Sequence, residues 1–232
     1  MQTRVNNQTL GEEIANAISH GIGELLSIAG AAVAIVYACF VSDAIGIVSA
    51  SIYGFSLILL YAVSTIYHSL ANNRAKAVFR VLDHCSIFVL ILGTDTPVYL
   101  SLIRGALGWT LFGITAFLTA LGIVLNSINI KKFTKISMVL YVLMGWLVVI
   151  AFGKMLKIVP SEGIALLVSG GICYTIGIIF YKMKKTRFMH SVWHLFVLGG
   201  SVLHYFFVLF YALPIKLFDK AYVLCYNITV TA

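Results

Sequence analysis

The sequence predicts an all-α membrane protein, a bundle of seven transmembrane helices that forms a single domain over residues 1–232. Composition is the first observation, because 61% of the residues are hydrophobic and only 10% are charged, which no ordinary soluble domain shows. The second is that the chain divides into seven apolar runs, each near the roughly 20 residues that a bilayer crossing requires. The third is the uneven distribution of Lys and Arg between the two sides of the bundle.

Each predicted helix is an apolar run bounded by charged or turn-forming residues. The first follows a polar segment, residues 1–12, which lacks the pattern of a cleaved signal and is expected to stay in the cytoplasm. The fifth and sixth are short and are separated by a few residues around Pro160. A tail over residues 216–232 follows the last run. The seven runs lie near Ile14–Phe40, Gly46–Leu70, Val78–Leu102, Trp109–Asn129, Ile136–Met155, Gly163–Tyr181 and Met189–Leu213.

The orientation follows from the basic residues. With seven crossings, eleven of the sixteen Lys and Arg fall on the side of the amino terminus, so the positive-inside rule places that terminus in the cytoplasm and the carboxyl terminus outside. The net charge of +8 therefore reflects topology, and no continuous basic patch indicates nucleic acid. The eleven are Arg4, Arg74, Lys76, Arg80, Lys131, Lys132, Lys135, Lys182, Lys184, Lys185 and Arg187. The four cysteines form no CxxC pair and are interpreted as reduced packing residues.

Polar side chains gather at the cytoplasmic ends of four predicted helices, where such groups are costly and usually functional. His190 and His194 are four residues apart and share one helical face, and His68 reaches the same depth from another helix. Three imidazoles with an open position are the ligand set of a catalytic zinc site, and nitrogen donors favour zinc over magnesium or calcium. The cluster comprises Glu12, Glu13, Asn16, His20, Ser64, His68, Asp83, His84, His190 and His194.

Three further residues are assigned relative to His68. Asp83 is close to it across a short loop and could hold a water at the metal or orient an imidazole. Ser64 lies one turn deeper on the same face and could hydrogen-bond to Asp83 or to that water. His84 points about 100° away from Asp83 around the helix and is interpreted as interfacial.

The ordinary alternative for any single interfacial histidine is hydration by headgroups and water. Three imidazoles brought to one level by separate helices favour a metal instead. His20, Asn16 and Glu12 form a stripe at four-residue spacing, which could support the metal ligands or simply cap the bundle. Both interpretations of the stripe remain open from the sequence.

Four segments of the chain carry a family resemblance: EEIANAISHGIG from Glu12, STIYHSL from Ser64, RVLDHCSIFVLILGTDTP from Arg80 and HSVWHLFVLGGSVLHYF from His190. They resemble hemolysin III proteins of the progestin and adiponectin receptor superfamily. The resemblance covers nearly the whole membrane region and implies a seven-helix bundle with its amino terminus inside. It also implies a multi-pass protein of a bacterial cytoplasmic membrane.

The resemblance also assigns residues. It implies that zinc is held by His68, His190 and His194, that Asp83 contacts the metal through water, and that Ser64 is the serine of the same motif. The amino-terminal motif of the family, whose role is less clear, is matched by Glu12 or Glu13, Asn16 and His20.

The family carries an expectation of function, because some eukaryotic members resemble ceramidases. The leading hypothesis is a zinc-dependent hydrolase in which water attacks the amide of a ceramide-like membrane lipid and Asp83 takes the proton. One alternative is a lipid sensor in which zinc is structural. A pore-forming cytolysin ranks lowest, since the helices are apolar nearly all round. The sequence identifies neither the lipid nor the oligomeric state.

One position departs from the family, which usually has Tyr where this chain has Asp95. Asp95 lies about 18 Å along its helix from Asp83, and His204 lies about 15 Å from His194, so both reach the middle of the bilayer and could pair. Pro97 should interrupt the helix beside Asp95. The residue could contact a substrate or ion, or it could be a buried neutral acid satisfied by its neighbours.

Overall fold

Six helical runs are long and apolar enough to cross a membrane in the computed structural model, which describes residues 8–71 and 73–214. The predicted all-helical class is confirmed, since every regular element in the described residues is a helix. Arg4, Cys225 and the tail over residues 216–232 lie outside the described residues. The six runs are Leu10–Val41, Ala44–Ser69, Arg74–Ile103, Gly105–Ile158, Ser161–Lys182 and Met189–Ala212.

Seven α-helices of very different length build these runs. A π-helical segment, Pro97–Ile103, follows α3, a 3₁₀ segment, Leu147–Ala151, precedes α5, and a second π-helical segment, Val208–Ala212, follows α7. The α-helices are α1 (Leu10–Val41), α2 (Ala44–Ser69), α3 (Arg74–Thr96), α4 (Gly105–Gly145), α5 (Phe152–Ile158), α6 (Ser161–Lys182) and α7 (Met189–Phe207).

The structure has six runs where the sequence predicts seven separate helices, because the fourth and fifth predicted helices belong to the single run Gly105–Ile158. The sequence predicts a loop after Asn129, but only Asn129 itself leaves helical geometry, with φ −161° and ψ 92°. Its side-chain oxygen accepts a hydrogen bond from the Lys132 N–H at 3.0 Å, as a helix N-cap does. One capping residue therefore replaces the expected loop.

The two halves of α4 fold back on each other at Asn129. The Ser137 hydroxyl donates to the Asn126 side-chain oxygen at 2.7 Å, although residues eleven apart in a straight helix are separated by about 16 Å. Phe88 of α3 meets both halves, since its carbonyl accepts from Thr119 and its ring packs on Tyr141. The interior of the bundle thus contacts both halves of the run.

Pro97 ends the α-helical pattern of α3, as the sequence predicts. The α-helix stops at Thr96 and π-helical bonding begins at Pro97, because proline has no N–H for the α-helical ladder and its ring clashes with the preceding turn. Asp95 consequently lies in the last turn of α3, buried in the bundle.

At the end of the bundle where α2 begins, Asp43 caps that helix and pairs with Arg104. Its carboxylate accepts from the Gly46 N–H at 3.0 Å and from the Arg104 guanidinium at 2.6 Å. Partial burial alone would raise the pKa of Asp43, but these two hydrogen bonds outweigh it and hold the pKa below its ordinary value. Asp43 is therefore ionised and lies at the start of α2, whereas His68 lies at the other end of the same helix.

Helices α1, α2 and α7 meet at the other end of α2 and carry most of the predicted polar cluster. Helix α1 packs along α2 and also contacts α7, while α6 packs along α7. Their shared interior contains Tyr53, Tyr61 and Phe207, each no more than 1% exposed. The outer surfaces keep large apolar side chains exposed, as a bilayer-facing surface requires.

Candidate metal centre

Three imidazoles meet where the end of α2 approaches the start of α7. His68 lies in the last turn of α2, and His190 and His194 lie on one face of the first turns of α7. Their ring centroids are 4.6 to 5.2 Å apart, and one ligand atom from each lies within 4.8 Å of the others. The structure thus brings the three predicted histidines to a spacing that could hold one metal ion.

His68 is oriented by a carboxylate on the side of its ring away from the cluster. Its Nδ1 is 2.7 Å from Glu13 Oε2, while its Nε2 is buried and has no hydrogen-bond partner among the described residues. A carboxylate on the first nitrogen fixes the proton there and leaves the second as a lone-pair donor, as in many metal-bound histidines. The unpartnered Nε2 is what a metal ligand should show.

His194 is oriented by the backbone of α1. Its Nδ1 lies 3.3 Å from the Asn16 carbonyl oxygen and 3.2 Å from the Ser19 hydroxyl. A carbonyl only accepts, so Nδ1 carries the proton and Nε2 is left as the donor to a metal. His68 and His194 therefore each have Nδ1 held by α1 and Nε2 left for a metal ion, so the residues present fit such an ion.

Asn16 supports the site as a link between helices. It is fully buried, and its side chain accepts from the Ser191 hydroxyl at 2.6 Å and donates to Gln8 at 3.0 Å. Its own backbone carbonyl faces His194. Asn16 thus fixes α1 against the helix that supplies two of the three imidazoles.

His20 and Glu12, the ends of the predicted stripe, have different environments. The His20 ring stacks on His194 with centroids 3.5 Å apart and meets the Tyr61 ring edge-on at 5.1 Å, so it packs behind a candidate ligand. Glu12 instead forms a capping box with Thr9 and accepts from the Phe188 N–H at 3.0 Å. Glu12 therefore supports the helix starts, and His20 supports the imidazole.

Asp83 and Ser64 lie beside the cluster and outside the three-imidazole group. A polar vestibule of about 420 Å³ is bordered by Asp83, His68 and His190. An inner cavity of about 50 Å³ is bordered by Asp83, Ser64, His190 and His194. The Ser64 hydroxyl is buried and has no partner among the described residues. Asp83 thus borders both the vestibule and the inner cavity.

His84 belongs to the wall of these cavities. Its Nδ1 is 2.9 Å from the Arg80 carbonyl and 3.7 Å from Asp83 Oδ2, and its Nε2 is 3.3 Å from the Tyr181 hydroxyl. It is partly buried against α6 and lies outside the three-histidine group. The sequence predicted that it would not share the site, but it did not predict the contact with Tyr181.

Lys76 is a residue of the site that the sequence assigned to topology alone. Its ammonium lies 2.9 Å from Glu13 Oε1 and donates to the Tyr67 and Leu70 carbonyls, each at 3.1 Å. It is 2% exposed and closes the C-terminal turn of α2, where a cation is stabilised by the helix dipole. No spacing in the sequence distinguishes Lys76 from the other loop cations.

Asp95 and His204 lie deeper, and the structure does not pair them. No ion pair joins them in residues 8–71 and 73–214, because His204 Nε2 instead lies 2.9 Å from the Leu167 carbonyl. Gly170 makes that approach possible, since a Cβ there would collide with the imidazole. Both residues line a deep cavity of about 100 Å³.

A protein-family model described as Haemolysin-III related matches residues 8–205 of the chain, which include every residue of the candidate metal centre. The chain belongs to the hemolysin III family. It is 44% identical to Hemolysin-3 of Bacillus cereus over 207 residues, covering 89% of this chain and 94% of that protein. With the Hemolysin-3 homolog of Bacillus subtilis (strain 168), the identity is also 44%, covering 89% and 97%.

A more distant human relative supports the wider superfamily. The monocyte to macrophage differentiation factor of Homo sapiens is 26% identical over 168 residues, which cover 68% of each chain. This agrees with the membership of the progestin and adiponectin receptor superfamily that the motifs indicate. Together with the six apolar helical runs, the family establishes this hemolysin III chain as an integral multi-pass membrane protein.

We expect Glu13→Gln to weaken metal binding by roughly 10- to 100-fold, because the amide loses the charge that holds the His68 Nδ1 proton. Metal affinity is measured by competition with a chelator of known affinity. Glu12→Gln is the matched control, since glutamine also serves in a capping box and should keep wild-type affinity.

The Glu13 substitution also leaves Lys76 without its carboxylate partner. Breaking a buried ion pair from one side costs about 3–5 kcal/mol, so Glu13→Gln with Lys76→Met is tested beside the single variant. If metal affinity in both Glu13 variants equals that of the wild type, the assignment of Glu13 as the support of His68 is wrong.

Proposed function

We propose that this hemolysin III protein is a zinc-dependent hydrolase of a lipid amide. The observation that carries the proposal is the set of His68, His190 and His194, two of which have one ring nitrogen oriented by α1 and the other left for a metal. Three neutral nitrogen donors suit zinc better than magnesium or calcium. Three protein ligands also leave a coordination position open, as catalytic zinc sites do.

The chain supplies the groups that hydrolysis needs beside the imidazoles. A zinc ion there would supply Lewis acidity, which polarises a carbonyl and lowers the pKa of water toward about 7. Asp83 borders both the vestibule and the inner cavity, so it is placed to accept the proton that the attacking water loses. The buried Ser64 hydroxyl borders the inner cavity and can orient the Asp83 carboxylate or that water.

We also propose that the protein crosses the membrane seven times, with its amino terminus in the cytoplasm. The run Gly105–Ile158 has 54 residues, and a straight helix of that length would be about 80 Å long, well over twice the roughly 30 Å hydrocarbon core. The contact between Asn126 and Ser137 supports two crossings that turn at Asn129. The bias of Lys and Arg supports an orientation with the metal centre at the cytoplasmic face of the membrane.

The cavities suit an amphiphilic substrate. The vestibule holds the charged side chains of Glu12, Arg80 and Lys184, so a headgroup and water can enter there. The deep cavity is walled mainly by apolar residues such as Leu60, Leu90 and Val197 and could take a hydrocarbon chain. An amide between the two regions would lie at the metal centre, and this favours ceramide-like lipids as substrates.

A second candidate function is a lipid sensor in which the metal is structural. It is favoured by the hydrogen bonds of Asn16 and Glu13, which tie α1 to α7 and α2 at the metal centre, so the site could clamp the bundle. A pore-forming cytolysin is the least supported, since the wall of the deep cavity is mainly apolar and offers no hydrophilic path.

The test of hydrolysis uses the purified full chain in lipid nanodiscs with ceramide as the probe. We expect fatty acid release that falls by more than about 100-fold after chelation and returns when zinc is added back. Calcium and magnesium should not restore it, because their preferred ligands are oxygens. Protein that holds a full complement of zinc and cleaves neither ceramide nor a related lipid amide would overturn the hydrolase proposal.

A further inference from the structure

The deep cavity contains a polar pair that the proposed hydrolysis does not use. Asp95 of α3 and His204 of α7 both line it, among walls that are otherwise mainly apolar. Each residue is only 8% exposed. A carboxyl and an imidazole at this depth are costly unless something binds them.

One polar atom in each member of the pair lacks a partner. Asp95 Oδ2 and His204 Nδ1 are buried and make no hydrogen bond within the described part of the chain. Leaving a buried polar atom without a hydrogen bond destabilises the folded protein. Two such atoms on the wall of one cavity therefore indicate a ligand with polar character at that point.

The hydrogen-bonding roles of the two residues define the chemistry of that ligand. His204 Nε2 faces the Leu167 carbonyl at 2.9 Å, so Nε2 carries the ring proton and Nδ1 can only accept. No cationic nitrogen lies within ion-pair distance of Asp95 in residues 8–71 and 73–214, so at membrane depth this acid is neutral and donates its O–H. Tyr99 interacts with the Asp95 carboxyl through its side chain, and a ligand hydroxyl that reaches the unpaired Oδ2 can accept from Asp95 and donate to His204.

The deep cavity adjoins the inner cavity at the metal centre. Leu60, Ile87, Trp193 and Val197 form part of the wall of both. Along α3 and α7, Asp95 and His204 lie about 18 Å and about 15 Å from the level of the metal centre. Carbon–carbon bonds of about 1.5 Å zigzag in an extended acyl chain, which therefore advances about 1.25 Å per bond. A chain that starts at the metal centre brings its twelfth carbon about 14 Å along, near the level of His204.

One side of the deep cavity faces the bilayer. Val142 and Gly145 of α4 and Thr175 of α6 border it and are exposed on the outer surface of the bundle. On this side the Trp146 indole donates a hydrogen bond to the Thr175 hydroxyl at 3.1 Å.

We propose that Asp95 and His204 form a second lipid subsite, which binds a mid-chain hydroxyl on the hydrocarbon chain of a lipid in the deep cavity. The inference rests on the proposed function only for the position of the lipid headgroup at the metal centre. The subsite makes the protein selective for hydroxylated chains over plain ones, because a plain chain would leave both polar atoms unpaired.

The test compares the binding of 12-hydroxystearic acid and stearic acid to the full chain in detergent, by displacement of a fluorescent fatty acid. Neither probe has an amide to cleave, so the result does not depend on hydrolysis. We expect roughly tenfold tighter binding of the hydroxylated acid, as two hydrogen bonds at a buried site supply. A third probe, 3-hydroxystearic acid, carries its hydroxyl near the headgroup and should bind like stearic acid.

The variant Asp95→Leu/His204→Leu removes both polar groups together. It also removes the hydrogen bond from His204 to the Leu167 carbonyl, so retention of the helical fold is checked before binding is measured. Its preference for 12-hydroxystearic acid should fall to about onefold, with stearic acid bound at least as well as by the wild type. Equal binding of all three acids by the wild type would overturn the subsite and would assign the two atoms to water. A preference that persists in the double variant, or no displacement by any of the acids, would also overturn it.

Discussion

Asp83→Asn is expected to lower ceramide hydrolysis by roughly 10²- to 10⁴-fold while zinc stays bound. Asp83 borders the vestibule and the inner cavity but lies outside the group of three imidazoles, so its loss should remove a proton acceptor and no metal ligand. Asparagine has nearly the same shape and cannot accept the proton. The measurement is fatty acid release per zinc-loaded chain, with zinc determined on the same sample.

The matched control for this prediction is Asp43→Asn. Asp43 caps α2 at its other end, and asparagine is an equally good N-cap, so turnover should stay at the wild-type level. The result also separates the two candidate functions. A sensor with structural zinc predicts that Asp83→Asn keeps the response to lipid and that histidine variants unfold. Unchanged hydrolysis by Asp83→Asn would exclude Asp83 as the proton acceptor.

The helices could be predicted from the sequence because their signals are local. Apolar runs and charged boundaries are enough to place five of the six runs within a few residues, namely Leu10–Val41, Ala44–Ser69, Arg74–Ile103, Ser161–Lys182 and Met189–Ala212. The sequence predicts a loop at Lys131, Lys132 and Lys135 because charged residues usually mark the end of a span. These residues are helical in the structure, and lysine is also a good helix former. One asparagine that caps the following turn is sufficient to reverse the chain there, and no periodicity reveals this.

The imidazole cluster could also be predicted, since His190 and His194 are four residues apart and His68 ends a helix at the same depth. Its supports could not be predicted in detail. The contact of Glu13 with both His68 and Lys76 depends on the rotation of α1 against α2, which sequence does not specify. The depths of Asp95 and His204 allow the two to pair, but the space beside Gly170 lets His204 turn toward Leu167.

The measurement that tests the central claim most directly is elemental analysis of purified wild-type protein and His190→Ala. The claim is that three imidazoles from α2 and α7 hold one metal ion, and His190 is the most exposed of the three, so its removal should disturb packing least. Loss of a direct ligand should cost more than the 10- to 100-fold typical of supporting residues.

If the three imidazoles hold one metal ion, we expect about one zinc per wild-type chain and almost none in His190→Ala after equilibration with a weak chelator. His84→Gln is the matched control and should keep its zinc, because His84 bonds to Arg80 and Tyr181 outside the cluster. Wild-type protein without any bound metal, or His190→Ala with the same zinc content as the wild type, would contradict the account.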